Sequence, residues 1–591
     1  MFALRSLPQN QPRAQSWLRW LICAFLATCV VSANTFAADS VDFESQVAPI
    51  LIKRCVECHQ AKDPAGGLSL ISADGLRAGG DSGEVIDSAE PIESHFLARV
   101  QSGEMPPEQQ GKSQQLPPDE IKVLERWIAA GADWPKNRKL DLFEKTNDVR
   151  GGRDWWSLQP IVRPKVPDFK IKVHPVDAFV YKKLKAKSMR PAPRADKVTL
   201  LRRLHHDLIG LPPSQQQIDE FVADDSADAW GKKIDELLQS PHYGERWARH
   251  WLDVVRYADT CGYERDQDKP NAWRYRDWVV QAFNQDMPYN EFITAQIAGD
   301  EMNPRSDQTL VATGFLRLGT WNDEPNEPKD YVYDRLEDLV HTTASTFIGL
   351  TVKCARCHTH KFDPILQDDY YRFASAFWPG PVQPRDVALL GGPDLLELGT
   401  SSVMGWTDVS SEPDPLHVLK NGEREQPLHE IVPATMSTIP TLHREFEPPS
   451  EGDRTTKRRL QLAEWITDPK NPLTPRVIVN RIWQHHFGQA IVRTPNNFGF
   501  LADPPTHPQL LDWLAAEFVA NGGSMKEMHR LILTSRTWQQ SSLNPKQAEF
   551  NRLDSGNRLW WRAERQRMDA EALRNVGIQW RIGVACRWRK F

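Results

Sequence analysis

Two short segments of this sequence combine cysteine and histidine at a spacing that can do chemistry. Residues 55–59 read CVECH and residues 354–358 read CARCH, so both have the form CxxCH. At this spacing two thiols can add to the two vinyl groups of one haem while the adjacent histidine reaches the iron. A bare CxxC is as often part of a zinc or redox site. We therefore predict a c-type haem at the first segment and keep both interpretations for the second.

In the first segment, Cys55 and Cys58 are the predicted haem attachment points and His59 is the predicted axial ligand. The predicted sixth ligand is Met105, in the GEMPP loop of residues 103–107, where two prolines stiffen the chain. A thioether suits low-spin iron, and Met opposite His gives a higher reduction potential than two histidines. The alternative is that Met105 packs on the core, as most methionines do.

The second segment offers Cys354, Cys357 and His358 as a second haem site. No Met-Pro loop follows it, so the sequence does not reveal a sixth ligand, and an open position would allow small-molecule chemistry as well as electron transfer. His360 is too close to His358 to reach the opposite face of the same haem. Zinc is the alternative cofactor, with Cys354, Cys357 and His360 as ligands and a fourth from elsewhere.

Four histidines near the C-terminal end could in principle supply a distal ligand to a haem: His485, His486, His507 and His529. Each is more often a core or surface histidine than a metal ligand. The sequence contains no GxSxG, Walker or glycine-rich dinucleotide motif. No catalytic residue is therefore predicted.

The elements around the first segment are predicted to be helices. Phe43, Val47, Ile50 and Leu51 form one apolar helical face that runs into Cys55. A glycine-rich loop follows, then a short helix over residues 94–101, the Met105 loop and a last helix. That last helix has its apolar side chains at residues 121, 124, 127 and 128. The predicted order is helix, CxxCH, loop, Met, helix.

Helical periodicity also fills the rest of the chain. Ser214 and Ser240-Pro241 are predicted helix starts, because serine caps an N-terminus well and proline is tolerated in the first turn. A helix with apolar positions from Leu336 to Leu350 is predicted to position the second CxxCH. The predicted fold class is mainly α: an N-terminal class I-like cytochrome c domain followed by two predominantly helical domains.

The composition is that of an ordinary globular protein. Of 591 residues, 40% are hydrophobic and 26% charged, and the net charge of -5 comes from interspersed acids and bases. Nucleic acid is therefore not an expected partner.

The N-terminus reads as a secretory signal peptide. Arg13 and Arg19 precede an apolar run over residues 20–31, and Ala37 and Ala38 form a small-residue exit. The run is too short for a stable membrane span, so none is expected after cleavage. The expected location is the periplasm or cell surface. Besides the CxxCH pairs the mature chain would keep Cys261 and Cys586, which is no disulfide framework.

The predicted domain boundaries follow these signals. Residues 1–38 are the signal peptide, 39–135 the cytochrome c domain and 136–176 a linker. Residues 177–380 form a helical domain with the second CxxCH, 381–415 a loop-rich connector, and 416–591 a helical C-terminal domain.

Longer motifs give the chain a family resemblance. Residues 43–134, with CVECH, GEMPP and WIAAGADWP, resemble the planctomycete cytochrome c domain. The segments LIGLPP, SPHYGERWARHWLDVVRYADT, PNAWRYRDWVV and GLTVKCARCHTHKFDPI resemble the uncharacterised domain that follows it in those exported proteins. The segments NPLTPRVIVNRIWQHHFG, THPQLLDWLAAEF and RMDAEALR are similar to their uncharacterised C-terminal domain.

The resemblance implies a large exported haem protein with a link to polysaccharide breakdown, but it supplies no known reaction. The chain departs from the family pattern after Arg574, where residues 575–591 are basic and lack the family motifs. We expect a truncation or frameshift there, which leaves the C-terminal domain incomplete.

Three classes of function follow. The leading hypothesis is an exported c-type cytochrome that exchanges electrons with redox partner proteins, with a second haem feeding or draining the first. The second is a protein that binds or degrades carbohydrate and carries an accessory haem, although the carboxylates are too many to select a catalytic pair. The third is a surface protein with a structural haem. Whether the chain is an enzyme stays open at this point.

Overall fold

Helices account for 47% of the computed structural model and strands for only 4%, which confirms the mainly α fold. The structure describes residues 41–574 and Gly577, except residues 62–63, 88, 265, 323–324, 382–394 and 399–400. The predicted signal peptide, Cys586, nearly all of the basic C-terminal segment and much of the predicted connector lie outside the described residues.

The chain divides into two compact units, which we call the first unit, ending at Leu142, and the second unit, starting at Phe143. A turn of π-helix at Phe43–Val47 opens the described part of the first unit. Its α-helices are α1 (Ala48–Arg54), α2 (Ala73–Ala78), α3 (His95–Ser102) and α4 (Pro118–Ala129). Apart from α2, which lies within the predicted glycine-rich loop, this is the order predicted from the sequence, with CxxCH after α1 and Met105 between α3 and α4.

Three aromatic rings join the two ends of the first unit. Phe43 packs against Trp134 with ring centroids 4.7 Å apart, and both contact Trp127 of α4 at 6.1–6.2 Å. The indole N–H groups of Trp127 and Trp134 donate to the carbonyls of Asp133 and Arg138, at 2.8 Å each. Because large buried aromatics contribute most of the apolar area in a small core, this cluster fixes the π-helical turn before α1 against α4.

The second unit is built from many more helices. They are α5 (Pro175–Ala186), α6 (Lys197–Ile209), α7 (Gln215–Ala223), α8 (Ala229–Gln239), α9 (Pro241–Val254), α10 (Ala272–Asn284), α11 (Tyr289–Ala298), α12 (Asp307–Ala312), α13 (Pro328–Thr343), α14 (Gln367–Ala374), α15 (Arg458–Thr467), α16 (Leu473–Phe487), α17 (Pro508–Ala520), α18 (Met525–Leu533) and α19 (Gln547–Leu553). Two antiparallel hairpins lie between α14 and α15: β1 (Leu395–Leu398) with β2 (Ser401–Met404), and β3 (His417–Leu419) with β4 (Pro427–Glu430).

The predicted helix starts are confirmed. The side chain of Ser214 accepts from the backbone N–H of Gln217, whose own side chain returns to Ser214 in a capping box. Ser240 accepts from the N–H of His242, and Pro241 occupies the first turn of α9. Local sequence therefore determines these helix ends.

One buried cluster extends through the second unit from Leu158 to Trp561. It contains side chains from both predicted helical domains, residues 177–380 and 416–591. Trp251 and Tyr275 meet there on a single buried acceptor, the Oε1 atom of Gln296, at 3.0 and 2.6 Å. Because the buried cluster contains side chains from both, residues 177–380 and residues 416–591 share a core.

A fully buried guanidinium joins the same two stretches. Arg459 in α15 bonds to both carboxylate oxygens of Asp300, at 2.5 and 2.9 Å, to Glu301 at 2.8 Å and to Asp408 at 3.0 Å. All four side chains have zero exposure. One guanidinium faces three carboxylates, so burial and the neighbouring Asp408 and Asp300 raise the pKa of Glu301 from 4.5 to about 7, against the opposing effect of Arg459.

Among the described residues, no helix combines the length with the apolar character that crossing a membrane requires.

The raised pKa of Glu301 predicts a pH-dependent stability of the second unit. The folded state binds this proton more tightly than the unfolded state, so its contribution is full below pH 4.5 and is lost as the pH rises through about 7. The shift corresponds to about 3 kcal/mol of unfolding free energy. Glu301→Gln removes the ionisation, so the fall in melting temperature between pH 5 and 7.5 should shrink by a few degrees. Glu464→Gln, on the exposed face of α15, the helix that carries Arg459, is the control, and an unchanged slope in Glu301→Gln would contradict the assignment.

Candidate haem site

The first CxxCH opens onto an apolar cavity of the first unit. About 1000 Å³ of space is bordered by Cys55, Cys58, His59 and Met105. The rest of the wall is mainly aliphatic or aromatic: Leu68, Leu70, Val85, Phe96, Val100 and Leu116. The four residues predicted from the sequence are therefore brought together around one apolar space, which is the environment that a haem macrocycle requires.

The imidazole of His59 is held in one orientation by a backbone carbonyl. Its Nδ1 lies 2.9 Å from the carbonyl oxygen of Leu68, and because a carbonyl can only accept, Nδ1 must carry the proton. The other nitrogen, Nε2, is then unprotonated and available to a metal. The backbone N–H of His59 donates to Cys55 at 3.0 Å, which fixes the turn that carries the ring.

Met105 is presented by the end of α3. Gly103 ends this helix in a left-handed conformation (φ 78°), which glycine adopts without steric cost. The chain then reverses, and the N–H of Met105 donates to the carbonyl of Arg99 at 3.0 Å. Pro106 and Pro107 follow it along the cavity wall. The loop thus holds the thioether at the cavity by backbone contacts.

The two thiols of the first motif lie one turn apart. The N–H of Cys58 donates to the carbonyl of Cys55 at 3.2 Å, so both side chains leave the turn on the cavity side. Cys55 is half-buried and Cys58 is exposed. Burial, with a smaller contribution from Cys58, raises the pKa of the Cys55 thiol to about 12. The donor set fits a haem c, with two thiols for attachment, a free imidazole nitrogen and a thioether.

The second CxxCH has a different setting, on the surface of the second unit. Val352 and Ala355 are buried with zero exposure, whereas Cys354, Cys357 and His358 are exposed. The Nδ1 atom of His358 donates to the carbonyl of Thr359 at 2.7 Å, which leaves Nε2 free as in the first motif. Cys354 therefore lies in the short 3₁₀ turn Val352–Arg356, Cys357 and His358 directly follow it, and all three side chains are exposed.

Ion pairs and a hydrogen bond hold the backbone of this second motif in place. Arg356, inside the motif, pairs with Asp334 at 3.0 Å and Glu337 at 2.9 Å, both on α13. Its carbonyl accepts from the hydroxyl of Tyr371 at 3.0 Å. Gly422, at φ 75°, packs so closely that a Cβ there would lie 2.7 Å from the Sγ of Cys357. The backbone of the motif is held firmly while its thiols stay accessible.

His360, the third residue of the zinc alternative, is turned into the protein. It is 6% exposed, and its Nδ1 accepts from the backbone N–H of Asp363 at 2.9 Å. Nε2 lies 3.3 Å from the hydroxyl of Thr351. Within the described part of the chain, no three His, Cys, Asp or Glu side chains are arranged to hold a metal ion. Zinc at this motif stays a prediction that this side-chain arrangement does not favour.

The four C-terminal histidines belong to the second unit, where packing accounts for most of them. His486 and His529 join through Nε2 and Nδ1 at 2.9 Å, and His507 is 2% exposed. His485 stacks on His250 with ring centroids 3.8 Å apart. His485 borders a cavity of the second unit and makes no hydrogen bond to any described residue.

Comparison with known protein families gives one match in the first unit and two in the second. Residues 55–109 match the family model described as planctomycete cytochrome C. Residues 175–380 match a protein family of unknown function, DUF1549, and residues 458–579 match another, DUF1553. The chain has the three-domain architecture of the planctomycete cytochrome c proteins. No curated protein and no solved structure matches it.

The planctomycete cytochrome c match covers Cys55, Cys58, His59 and Met105, so the four cavity residues lie inside the matched segment. The second CxxCH lies inside the DUF1549 match. Sequence reasoning missed the carbonyl of Leu68, because a backbone group that positions a ligand has no residue-type signal. It also missed the polar cavity of the second unit, which is lined by residues from both families of unknown function.

The exposure of the motif cysteines predicts their reactivity in the haem-free protein. Cys58, Cys354 and Cys357 are exposed, whereas Cys261 is 4% exposed. Brief alkylation with iodoacetamide, followed by peptide mass spectrometry, should label the three exposed thiols at least about tenfold faster than Cys261. Labelling in urea, where all four should react at similar rates, is the control. Equal rates in the folded protein would show that the second motif is not on the surface.

Proposed function

We propose that this chain is an exported c-type cytochrome that transfers electrons through a haem in its first unit. The observation that carries the proposal is the single apolar cavity bordered by two thiols, an oriented imidazole and a thioether. The match to planctomycete cytochrome C over the same residues supports it.

Each residue has a defined role in this proposal. Cys55 and Cys58 would form the two thioether bonds, His59 would bind the iron through Nε2, and Met105 would offer its thioether sulfur as a further ligand. The haem, when bound, supplies one-electron oxidation and reduction at a potential set by those ligands. Leu68 keeps His59 in the ligating tautomer through its carbonyl. The apolar wall excludes water from the macrocycle.

A second haem at Cys354, Cys357 and His358 is part of the same proposal. Its support is the shared histidine geometry, since His358, like His59, donates from Nδ1 to a backbone carbonyl and leaves Nε2 free. The exposed position of the two thiols leaves them accessible for attachment. In a dihaem protein, redox partner proteins would deliver electrons to one site and remove them from the other.

Export belongs to the proposal because c-type haem is attached outside the cytoplasm. Its support is the basic, apolar and small-residue order of residues 13–38.

The haem content of the mature protein tests the two attachment sites. After export through a c-type maturation system, a pyridine haemochrome assay should give two covalent haems per chain. Cys55→Ala/Cys58→Ala and Cys354→Ala/Cys357→Ala should each reduce the number to one, and the control Cys261→Ala should leave two. A wild-type protein with one haem and one zinc, whose haem content does not change on loss of Cys354 and Cys357, would overturn the second haem. Two haems that survive loss of Cys55 and Cys58 would overturn the first.

The reduction potential tests the role of Met105. Met105→His replaces the thioether by imidazole, so the potential of the first haem should fall by on the order of 0.1 V or more. His95→Gln, which borders the same cavity but is not a proposed ligand, is the control and should shift the potential much less. An unchanged potential in Met105→His would show that Met105 does not bind the iron.

A further inference from the structure

The second unit contains a polar cavity to which no function is assigned. It encloses about 920 Å³ of space between α6, α9, α16 and the chain from Ala563 to Ala572. Its polar wall includes Arg203, His206, Asp207, Arg246, His485 and His486. Phe487, Met568 and Ala572 contribute an apolar part. The cavity is part of the second unit alone, so it is a separate feature from the haem site of the first unit.

Arg203 brings a largely buried positive charge to this cavity without a paired carboxylate. Among the described residues its guanidinium donates only through Nη1, to the carbonyls of Trp538 at 2.8 Å and Gln540 at 3.1 Å. It lies over the indole of Trp538, 5.3 Å from the ring centroid. Burial lowers the pKa of Arg203, and the attraction of Asp207 and Asp196 does not compensate. The Nε and Nη2 groups therefore remain as charged donors without a partner in the described chain.

Arg246 adds a second guanidinium that is only partly neutralised. Its Nη1 bonds to Asp569 at 2.5 Å, but Asp569 also pairs with Arg249 at 3.4 Å. The Nε of Arg246 is buried and makes no hydrogen bond to any described residue. A buried donor without an acceptor is unfavourable, and a bound acceptor would satisfy it.

The acidic groups of the cavity are already engaged. Asp207 accepts through Oδ2 from the indole N–H of Trp538 at 3.1 Å and lies 3.4 Å from Nδ1 of His486. Glu564 pairs with Arg562 at 3.2 Å. The carboxylates thus have partners, whereas Nε and Nη2 of Arg203 and Nε of Arg246 have none among the described residues.

Neutral imidazoles complete the wall. Burial, followed by the nearby His486 and Arg246, lowers the pKa of His485 to about 3, so its ring is uncharged near neutral pH. It makes no hydrogen bond to a described residue, and one of its nitrogens can donate to a ligand. The Nδ1 of His206 is also buried without a partner. Unsatisfied donors beside uncharged rings favour an acceptor-rich anionic ligand over a cation.

We propose that this cavity binds a small organic molecule through an oxyanion group, a carboxylate, sulfate or phosphate, held between Arg203 and Arg246. Guanidinium groups bind planar and tetrahedral oxyanions through paired N–H donors. His485 donates a further hydrogen bond, and Phe487 and Met568 contact the carbon skeleton. The cavity is assembled from α6 and α9 on one side and α16 with the segment after α19 on the other. A ligand there contacts both segments that match families of unknown function.

Anion binding to the full-length mature protein tests this proposal. Succinate, sulfate and phosphate are titrated by calorimetry at constant ionic strength, with chloride as the background ion. At least one should bind more tightly than chloride and raise the melting temperature with concentration. Succinate alone would identify a carboxylate site, and sulfate or phosphate alone a tetrahedral-anion site. No binding by any of the three would overturn the proposal.

Variants of the residues that line the cavity test where the anion binds. Arg203→Gln should weaken the best anion at least tenfold, and Arg203→Lys, which keeps the charge but not the paired donors, should weaken it less. His485→Phe keeps the stacked ring on His250 and should also weaken binding. Arg530→Gln, an exposed arginine of α18 paired with Asp235, is the control and should bind as the wild type does. If Arg203→Gln fails to fold, the anion affinities of Arg203→Lys and His485→Phe test the site instead. Wild-type affinity in these variants would overturn the site.

Discussion

Burial of charge is the constraint on which the second unit depends. Arg459 has zero exposure, and a guanidinium without counter-ions could not be buried at tolerable cost. Two of its carboxylate partners, Asp300 and Glu301, lie just after α11, and the third, Asp408, lies after β2. None of them belongs to the helix that carries Arg459. Asp408 is in turn held by the N–H and hydroxyl of Thr456, at 2.8 and 2.7 Å. These ion pairs therefore hold together the two segments that match families of unknown function. Separating the segments would leave charged groups without their partners.

The two CxxCH motifs show that the same short sequence can lie in two different structural environments, a cavity wall and the protein surface. In both, the spacing places two thiols on one turn and the histidine ring donates from Nδ1 to a carbonyl. In the first unit the turn borders an apolar cavity, closed on another side by the Met105 loop. In the second unit the same turn lies on the surface, anchored by Val352, Ala355 and the ion pairs of Arg356. The chemistry of the motif is local, whereas its enclosure is supplied by other parts of the chain.

The histidines of the second unit show the opposite case, where residue type alone is a poor guide. His485 and His486 are adjacent in the sequence and were equal candidates for iron ligation. In the structure His486 joins His529 in the core, while His485 stacks on His250 beside a polar cavity. Which of two neighbouring histidines meets a ligand depends on helix orientation, since successive residues of a helix point about 100° apart. The unpaired donors of Arg203 and Arg246 likewise become visible only when their neighbours are known.

The sequence by itself determined the features that depend on local spacing. These are the mainly α fold, the helix starts at Ser214 and Ser240, and the order of helix, CxxCH, Met loop and helix in the first unit. Cys55, Cys58, His59 and Met105 could be selected because their chemistry is specific and their motifs are short. Periodicity and capping act over a few residues and are written in consecutive positions.

Only the tertiary structure decided the features that depend on long-range contacts. It joined residues 177–380 and the C-terminal helices in one core, directed His360 inward, and assembled the cavity of Arg203, Arg246 and His485 from helices that are distant in the sequence. Such contacts form because buried polar and charged groups must find partners, and those partners can come from any part of the chain. The sequence records which groups need partners, but it does not record which distant residues will provide them.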